Sequence, residues 1–341
     1  MNVAIWGTGL LADELSDEIE KNDGIEKDNI LFFCDNDSVK QGTTFHGLRV
    51  VAPVELKNTQ VDYLIIANGY CADIRKQIKK ESLISDDRIV ESGFYRQLLY
   101  ARTQYFKRYG KKHGNNAADD SGQSTVIYTA IMGEYDDLAD PLIVDENIKY
   151  ICVTNNRDVK SDVWDVRYIE NENLSNVMLA RRIKLLPWEY FHCEGLNIWV
   201  DANLPIKADL REYAGNYMQG RGILCFPHSE RCCICDEAAA VVSHRPDIKR
   251  DVIIQTAEYM KAGMPLNFGL YETGCMVRDF GIPMVKKLMQ DWWDELVRYT
   301  YRDQISLPYV CWKNNFLPDI CDQSVWWNEW LAFNKHKNDK C

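Results

Sequence analysis

Two oxygen-bearing side chains follow a short apolar stretch in the second half of the chain. Residues 196–200, Leu-Asn-Ile-Trp-Val, have the composition of a buried strand, and Asp201 and Asn203 come directly after it. Side chains two residues apart at a strand end can point the same way, so both could bind one hard divalent cation, Mg²⁺ or Mn²⁺. Such an ion commonly takes its other ligands from substrate phosphates and water. The spacing is equally compatible with an alternative, in which Asp201 only stabilises the turn after the strand.

A basic helix face is predicted before this strand. The pattern from Asn176 to Leu186 is amphipathic and ends at Pro187. Arg181 and Lys184, three residues apart, share one face of this helix and could donate to a phosphate. An ordinary solvated basic face is the alternative.

The elements that position these groups form an α/β pattern. Predicted strands at 125–130, 150–154 and 196–200 alternate with helical segments, which indicates a mainly parallel sheet. Ligands of such sheets bind outside the carboxyl ends of the strands. At those ends we expect Tyr128 and Thr129, from the last part of the first strand, and Asn155, directly after the second.

The first hundred residues have the order of a dinucleotide-binding βαβ unit. A predicted strand at 2–6 leads into Gly7-Thr8-Gly9, a helical pattern follows, and a second strand at 30–34 ends at Asp35. Gly7 and Gly9 would let the backbone approach a phosphate, and Asp35 could accept a hydrogen bond from a ribose hydroxyl. The alternative is a scaffold in which the glycine turn is merely tight.

Length and composition limit the remaining possibilities. With 341 residues the chain should form about two domains. We expect a Rossmann-like domain at 1–109, a linker at 110–124 and an α/β domain at 125–341. The net charge of −11 argues against a nucleic-acid partner. There is no signal-peptide pattern and no apolar stretch of ~20 residues, so the prediction is a soluble, cytoplasmic protein.

The cysteines do not form a recognisable zinc motif. The chain has 12 of them, and the densest group contains the adjacent pair Cys232 and Cys233. Structural zinc sites prefer C-x₂₋₄-C spacing with a distant second pair, so reduced and mostly buried thiols are the better interpretation.

Both halves of the chain resemble known families. The glycine turn, Asp35-Asn36-Asp37, Gly42, Gly47 and Pro53 resemble the small sugar-nucleotide-binding domains fused to bacterial acyl- and glycosyltransferases. This resemblance implies a second nucleotide in the first domain. The run 126–136, Val-Ile-Tyr-Thr-Ala-Ile-Met-Gly-Glu-Tyr-Asp, is similar to a glycosyltransferase family once catalogued as a domain of unknown function. Its best-known members are plant turgor-regulation and seed-mucilage enzymes. The further matching segments, in order, are 180–187, 198–204, 227–231, 269–274 and 302–306.

The second resemblance implies a GT-A-like α/β glycosyltransferase domain with a metal-assisted donor site. Asp201-Ala202-Asn203 stands where such enzymes carry a D-x-D element, with Asn in place of the second Asp. Mg²⁺ or Mn²⁺ there would act as a Lewis acid on the departing nucleoside diphosphate. His228 is implied as a further metal ligand or phosphate contact, and a structural histidine is the alternative. The residues implied to bind the donor are Tyr128, Thr129, Asn155, Arg181, Lys184 and Gln304.

Glu272 and Asp303 are the carboxylates implied to be catalytic. An inverting transferase needs a general base for the acceptor hydroxyl, and a retaining one needs a group that stabilises an oxocarbenium-like centre. A salt bridge between Asp303 and Arg302 is the structural alternative for the second carboxylate.

The function predicted from the sequence is sugar transfer from a nucleotide-diphospho-sugar to a glycan or lipid-linked acceptor in a bacterial cytoplasm. The Trp-rich tail, from Trp326 to Lys337, is compatible with a peripheral position at the inner face of the membrane or with simple packing. Two alternatives stay open. One is a catalytically silent nucleotide-sugar-binding regulatory protein. The other is an NAD(P)-dependent sugar enzyme that uses Gly7, Gly9 and Asp35.

Overall fold

The computed structural model describes residues 1–21, 28–110, 124–170, 173–193 and 195–337. The chain divides into two compact units, Met1–Lys112 and His113–Cys341. The linker expected at 110–124 lies outside the described residues except at its two ends. Each unit contains one mostly parallel sheet with helices, which confirms the predicted α/β class.

The first unit is built on a six-stranded sheet. Its elements in chain order are β1 (Asn2–Trp6), α1 (Leu10–Lys21), β2 (Asn29–Cys34), β3 (Thr44–Phe45), β4 (Leu48–Val51), β5 (Tyr63–Ile66), α2 (Cys71–Glu81), β6 (Ile89–Glu91) and α3 (Ser92–Tyr109). The strand order is β3-β4-β2-β1-β5-β6, and every neighbouring pair except β3 and β4 is parallel. The central strand β1 is apolar and almost fully buried because it has strands on both sides and helices over the sheet.

The second unit is built on a seven-stranded sheet. Its elements in chain order are β7 (Thr125–Ile131), β8 (Ile148–Thr154), β9 (Asp165–Tyr168), α4 (Asn176–Leu185), β10 (Leu196–Val200), α5 (Leu210–Tyr217), β11 (Ile223–Pro227), α6 (Ile234–His244), α7 (Lys249–Lys261), β12 (Tyr271–Asp279), α8 (Pro283–Arg298), α9 (Asp303–Lys313) and β13 (Asp319–Ile320). The strand order is β13-β11-β12-β10-β7-β8-β9. Only β12 runs against its neighbours.

The middle of the antiparallel strand β12 lies beside the carboxyl end of β10. Cys275 pairs with Val200, and the main-chain N–H of Asp201 donates to the carbonyl of Gly274 at 2.7 Å. A Cβ on Gly274 would come within 2.9 Å of Leu204 Cδ1 and 3.3 Å of Asp201 Oδ2. A glycine at position 274 is therefore needed for β12 to pack closely against the segment that follows β10.

The C-terminal segment pairs with the residues that follow Asn203. Lys207 N–H donates to the carbonyl of Trp330, and Asn334 N–H donates to the carbonyl of Asn203 at 2.8 Å. The indole of Trp330 is buried, 5.1 Å from the ring of Tyr213. This pairing carries the last described residues, as far as Lys337, back to the carboxyl edge of the sheet.

Two general properties of the described residues complete the fold. The eleven cysteines among them are free thiols, most of them buried. None of the helices found there has both the length and the apolar character needed to cross a membrane.

Candidate active site

A cavity of about 570 Å³ opens at the carboxyl edge of the sheet in the second unit. The loop after β7, the first turns of α4, the segment after β10, the C-terminal end of α6 and the residues before α9 contribute to its walls. Side chains of both charge signs line it. The acidic and amide groups include Glu134, Asp136, Asp201 and Asn203, and the basic groups include Arg181, Arg245, Arg302 and His336.

Two neighbouring side chains fix the position of the Asp201 carboxylate. Its Oδ1 accepts a 2.6 Å hydrogen bond from the indole N–H of Trp199, which lies two residues earlier on β10. The same oxygen lies 3.8 Å from Nζ of Lys184. About a third of the Asp201 side chain is exposed, so the carboxylate is both oriented by its neighbours and open to the cavity.

His336 lies next to Asn203 at the acidic end of the cavity. The Nδ2 atom of Asn203 is 3.4 Å from Nε2 of His336, and the Nδ1 atom of that ring is 3.0 Å from both carboxylate oxygens of Asp136. A proton on Nδ1 would be shared with the carboxylate, which leaves Nε2 as the acceptor facing Asn203. The ring also packs against Tyr135, with the centroids 4.9 Å apart.

This acidic end suits an open cation site rather than a closed one. Within the described part of the chain, no three His, Cys, Asp or Glu side chains are placed to hold a metal ion together. Asp201, Asn203 and His336 instead offer one carboxylate, one amide and one imidazole. Nδ2 of Asn203 also donates toward the carbonyl of Asn334 at 3.4 Å, so Oδ1 is the atom of this amide available to a cation. Mg²⁺ in proteins typically has few protein ligands and takes its other ligands from phosphate and water.

The pKa of Asp136, one of the carboxylates that line the cavity, is raised. Burial raises its pKa, and the neighbouring charge of Asp201 raises it further, although the hydrogen bond from His336 acts in the opposite direction.

Three arginines, Arg181, Arg245 and Arg302, also line the cavity and are called the arginine wall below. Arg181 on α4 donates from Nε toward the carbonyl of Tyr301 at 3.4 Å. Arg302 donates from Nη2 to Glu237 at 2.8 Å. Arg245 is paired with the exposed Asp247 at 3.3 Å. Each guanidinium has five N–H groups, and several of them have no acceptor among the described residues. This wall can therefore still donate to an anion.

Asp303 lies behind the arginine wall and does not line the cavity. Its Oδ2 accepts from Lys184 Nζ at 2.7 Å and from Thr273 Oγ1 at 2.9 Å, and Arg181 Nε is 3.4 Å away. Burial opposes ionisation of this carboxyl, but the charges of Arg181 and Lys184 outweigh it and hold its pKa well below the usual range. Lys184 is fully buried as well. The structure thus puts both residues in a buried ion pair and not at the surface where a substrate would contact them.

Glu272, Gln304 and His228 belong to a second buried network. Glu272 accepts from Gln304 Nε2 at 2.6 Å and from the hydroxyl of Ser229 at 3.1 Å. His228 Nδ1 accepts the main-chain N–H of Glu230 at 3.1 Å, and its Nε2 lies 3.4 Å from Glu237. None of these residues lines the cavity. The histidine next to Asn203 is therefore His336 and not His228.

Glu237 connects this network to the arginine wall. Burial opposes its ionisation, but hydrogen bonds from His228 and Arg302 outweigh it and lower its pKa to about 2. Its carboxylate also accepts from Arg231 Nε at 3.0 Å. Glu237 thus holds Arg302 against the cavity from behind.

Most of the chain matches a known protein family. Residues 74–324 match the family described as TOD1/MUCI70, glycosyltransferase-like domain. The chain belongs to this family. The match confirms the resemblance found in the sequence, and residues 1–90 match a second family, C2185-like, N-terminal.

The solved structures that match the chain are only distantly similar to it. The chain shares 14% identity with the apo structure of the WbbM bifunctional glycosyltransferase, with a TM-score of 0.34, over 55% of this chain and 36% of that one. It thus spans about a third of the length of WbbM. It shares 9% identity with mouse xyloside xylosyltransferase 1, apo form, with a TM-score of 0.26, over 94% and 84% of the two chains. No curated protein matches it.

The remaining donor-site candidates of the TOD1/MUCI70 domain lie one layer behind the cavity surface. Tyr128 is fully buried and donates to the carbonyl of Lys184 at 2.8 Å. The Thr129 hydroxyl is buried and has no partner among the described residues. Asn155 accepts from the N–H of Gly133 at 2.7 Å and so shapes the loop after β7. These three residues support the walls of the cavity and do not form its surface.

In the first unit, the predicted nucleotide-binding residues have structural partners of their own. Gly7 has a φ of +127°, and a Cβ there would lie 2.6 Å from the carbonyl oxygen of Ala67. Asp35 accepts from Thr8 Oγ1 at 2.5 Å and lies 3.3 Å from Lys40 Nζ. Of the two predicted glycines, only Gly9 has open space where a Cβ would lie. The tight-turn alternative accounts for Gly7, and a nucleotide or NAD(P) at this turn remains a prediction.

Proposed function

We propose that the second unit transfers a sugar from a nucleotide-diphosphate donor to a glycan or lipid-linked acceptor, with Mg²⁺ or Mn²⁺ bound at Asp201. One observation carries this proposal: a single cavity holds both the carboxylate of Asp201, which suits a cation, and the guanidinium of Arg181, which has N–H groups without an acceptor among the described residues. A diphosphate needs both kinds of group, because its charge grows as the bond to the sugar breaks.

Asp201, Asn203 and His336 are the residues that would hold the cation. The Trp199 indole fixes the Asp201 carboxylate, and Asp136 fixes the His336 ring, so two of the three ligands are oriented before any ion binds. When bound, the ion would neutralise part of the charge on the departing nucleoside diphosphate. Asn203 adds no charge, so the protein would bind the cation less tightly than with two carboxylates.

Arg181 would bind the phosphates together with the cation. Its side chain is partly exposed, and its Nε lies 3.4 Å from the buried carboxylate of Asp303. This ion pair sets the position of the guanidinium group before the donor binds, so little reorganisation is needed as negative charge develops.

Glu134 takes the role that was predicted for Glu272 and Asp303. Those two carboxylates are buried in hydrogen-bonded networks, whereas Glu134 is exposed and lines the cavity. If the reaction inverts the anomeric centre, Glu134 can reach solvent and an acceptor hydroxyl and act as the general base.

Calorimetry on the full chain tests the proposal. UDP, GDP and their sugar conjugates are titrated with and without Mn²⁺, and we expect at least one to bind with a requirement for the cation. Absence of binding by every nucleotide, with either Mn²⁺ or Mg²⁺, would contradict the proposal. The replacement of the second Asp by Asn203 favours one other candidate, a nucleotide-sugar-binding regulatory protein. Donor binding without any transfer or hydrolysis would identify that case.

A further inference from the structure

We infer that the cavity binds a second anionic group, separate from the donor diphosphate, at Arg245 and Arg302. The group is a carboxylate or phosphate monoester carried by one of the two sugar substrates. This inference rests on the proposed function, in which the diphosphate binds at Arg181 and at the cation held by Asp201, Asn203 and His336.

Arg302 has more hydrogen-bond capacity than the protein uses. Of its five N–H groups, one donates to Glu237 at 2.8 Å, and the other four have no acceptor among the described residues. The Nε of Arg302 is buried as well as unpaired. Because the Nε atom is closed off from solvent, the N–H groups open to a ligand are those of Nη1 and the second N–H of Nη2.

Arg245 is half exposed and aligned by Tyr301. Its Nε and Nη2 donate to Asp247, and Nη2 also donates to the hydroxyl of Tyr301, while its guanidinium carbon lies 5.4 Å from the centre of that ring. Both N–H groups of Nη1 remain without an acceptor in the described part of the chain. Arg245 therefore has a fixed orientation and a free edge for a ligand.

Tyr301 separates this site from the one assigned to the diphosphate. Its main-chain carbonyl accepts from Arg181, and its side-chain hydroxyl accepts from Arg245. The two guanidinium groups thus contact opposite ends of the same residue, its main-chain carbonyl and its side-chain hydroxyl. A single diphosphate bound at Arg181 and at the cation site would not contact Arg245. An anionic substituent on the sugar itself would reach it.

The experiment compares matched ligands that differ in one anionic group. In the donor arm, UDP-glucose and UDP-glucuronate, and GDP-mannose and GDP-mannuronate, are titrated by calorimetry in the presence of Mn²⁺. In the acceptor arm, glucose and glucose 6-phosphate are titrated in the presence of UDP and Mn²⁺. We expect the anionic member of a pair to bind roughly tenfold or more tightly in one arm, as for a charge-assisted hydrogen-bonded pair. The arm in which this occurs identifies the substrate that carries the anion.

Variants assign the preference to these residues. Arg245→Gln should abolish the preference for the anionic ligand, and Arg245→Lys should restore part of it. Affinity for UDP alone should stay the same in both. Arg157→Gln is the matched control, because Arg157 also lies over a tyrosine ring, 3.8 Å from the centre of Tyr168, but is exposed outside this cavity. Thermal unfolding of each variant confirms that it is folded.

The possible results separate this inference from the proposed function. If nucleotides bind with Mn²⁺ but neither arm shows a preference that depends on Arg245, the second anion site is refuted and the proposed function stands. If no nucleotide binds but glucose 6-phosphate binds in a manner that needs Arg245, the anion site stands and the proposed function fails. A preference that survives both Arg245→Gln and Arg302→Gln also refutes the inference.

Discussion

The indole N–H of Trp199 donates a 2.6 Å hydrogen bond to Oδ1 of Asp201. Trp199 lies in β10 and Asp201 directly follows that strand, so the strand that places the carboxylate at the cavity also supplies the group that orients it. Trp199 is almost fully buried, with its ring 5.3 Å from that of Tyr128. The orientation of Asp201 is therefore built into the core of the second unit.

Replacement of Trp199 by Phe should weaken cation binding more than it weakens the fold. The phenyl ring keeps much of the packing but leaves Asp201 without its donor, and loss of such outer-shell partners typically costs ~10–100-fold in metal affinity. Mn²⁺ affinity can be measured by calorimetry or by the electron paramagnetic resonance signal of free Mn²⁺. Trp292→Phe is the control, because the Trp292 indole is equally buried but donates to Ser306 at 2.9 Å. Equal Mn²⁺ affinity in the Trp199 variant and the wild type would contradict this role of the indole.

Arg181 and its neighbour Arg182 should differ sharply in their effect on nucleotide binding. Arg181 lines the cavity, whereas Arg182 pairs with Glu189 at 2.8 Å. Arg181→Gln removes charge-assisted donors worth roughly 1.5–3 kcal/mol, so the dissociation constant for UDP or GDP should rise about 10- to 100-fold. Arg182→Gln should leave it within about threefold, as expected for a surface ion pair. Calorimetry in the presence of Mn²⁺ measures both, and similar losses in the two variants would contradict the assignment.

Lys184 and Asp303 should behave as a coupled buried pair. Removal of either one leaves the other charge buried without its closest partner, so Lys184→Met and Asp303→Leu should each cost about 3–5 kcal/mol in the free energy of unfolding. The double variant should lose less than the sum of the two, because both charges are then removed together. Urea denaturation of the three variants gives the coupling energy. Simple additivity would show that the 2.7 Å contact contributes no coupling.

The contribution of Glu237 to stability should depend on pH in a specific window. Its pKa in the folded protein is about 2, below the usual value of 4.5, so its carboxylate stabilises the fold above pH 4.5. That contribution is lost as the pH falls from 4.5 towards 2, and amounts to roughly 3 kcal/mol for a shift of this size. Unfolding of the wild type and Glu237→Gln by urea at pH 7 and pH 3 measures it. The difference in unfolding free energy between the two proteins should shrink at pH 3, and a constant difference would contradict the prediction.

The sequence allowed prediction of the elements more readily than of the contacts between them. The apolar stretch at 196–200 became β10 with the same limits, and the helix predicted from Asn176 to Leu186 was found at Asn176–Leu185. Local periodicity and stop signals such as Pro187 are sufficient for such assignments. The antiparallel strand β12 was missed, because its direction depends on pairing with β10 and β11 and not on its own pattern.

The sequence predicted only those parts of the candidate site that depend on residues close together in the chain. Asp201 and Asn203 were found from their spacing after a strand. His336 was not, because it meets Asp136 across a sequence separation of 200 residues, through the pairing of the tail with the segment after β10. Arg245 was missed because its position also depends on a contact with a residue distant in the sequence, Tyr301. Glu272, Asp303 and Lys184 carry charges typical of a site, but the sequence does not reveal that these charges are paired with one another and buried.

Release of nucleoside diphosphate from a sugar donor by Asp201→Asn tests the proposed cation site most directly. The substitution keeps the size of the side chain and removes the charge that would hold the cation. We expect the wild-type chain to release UDP or GDP only with Mn²⁺ or Mg²⁺, and Asp201→Asn to lower the rate by at least ~100-fold. Asp294→Asn, an exposed carboxylate on α8, should have no effect. A rate for Asp201→Asn equal to that of the wild type would contradict a catalytic cation at Asp201.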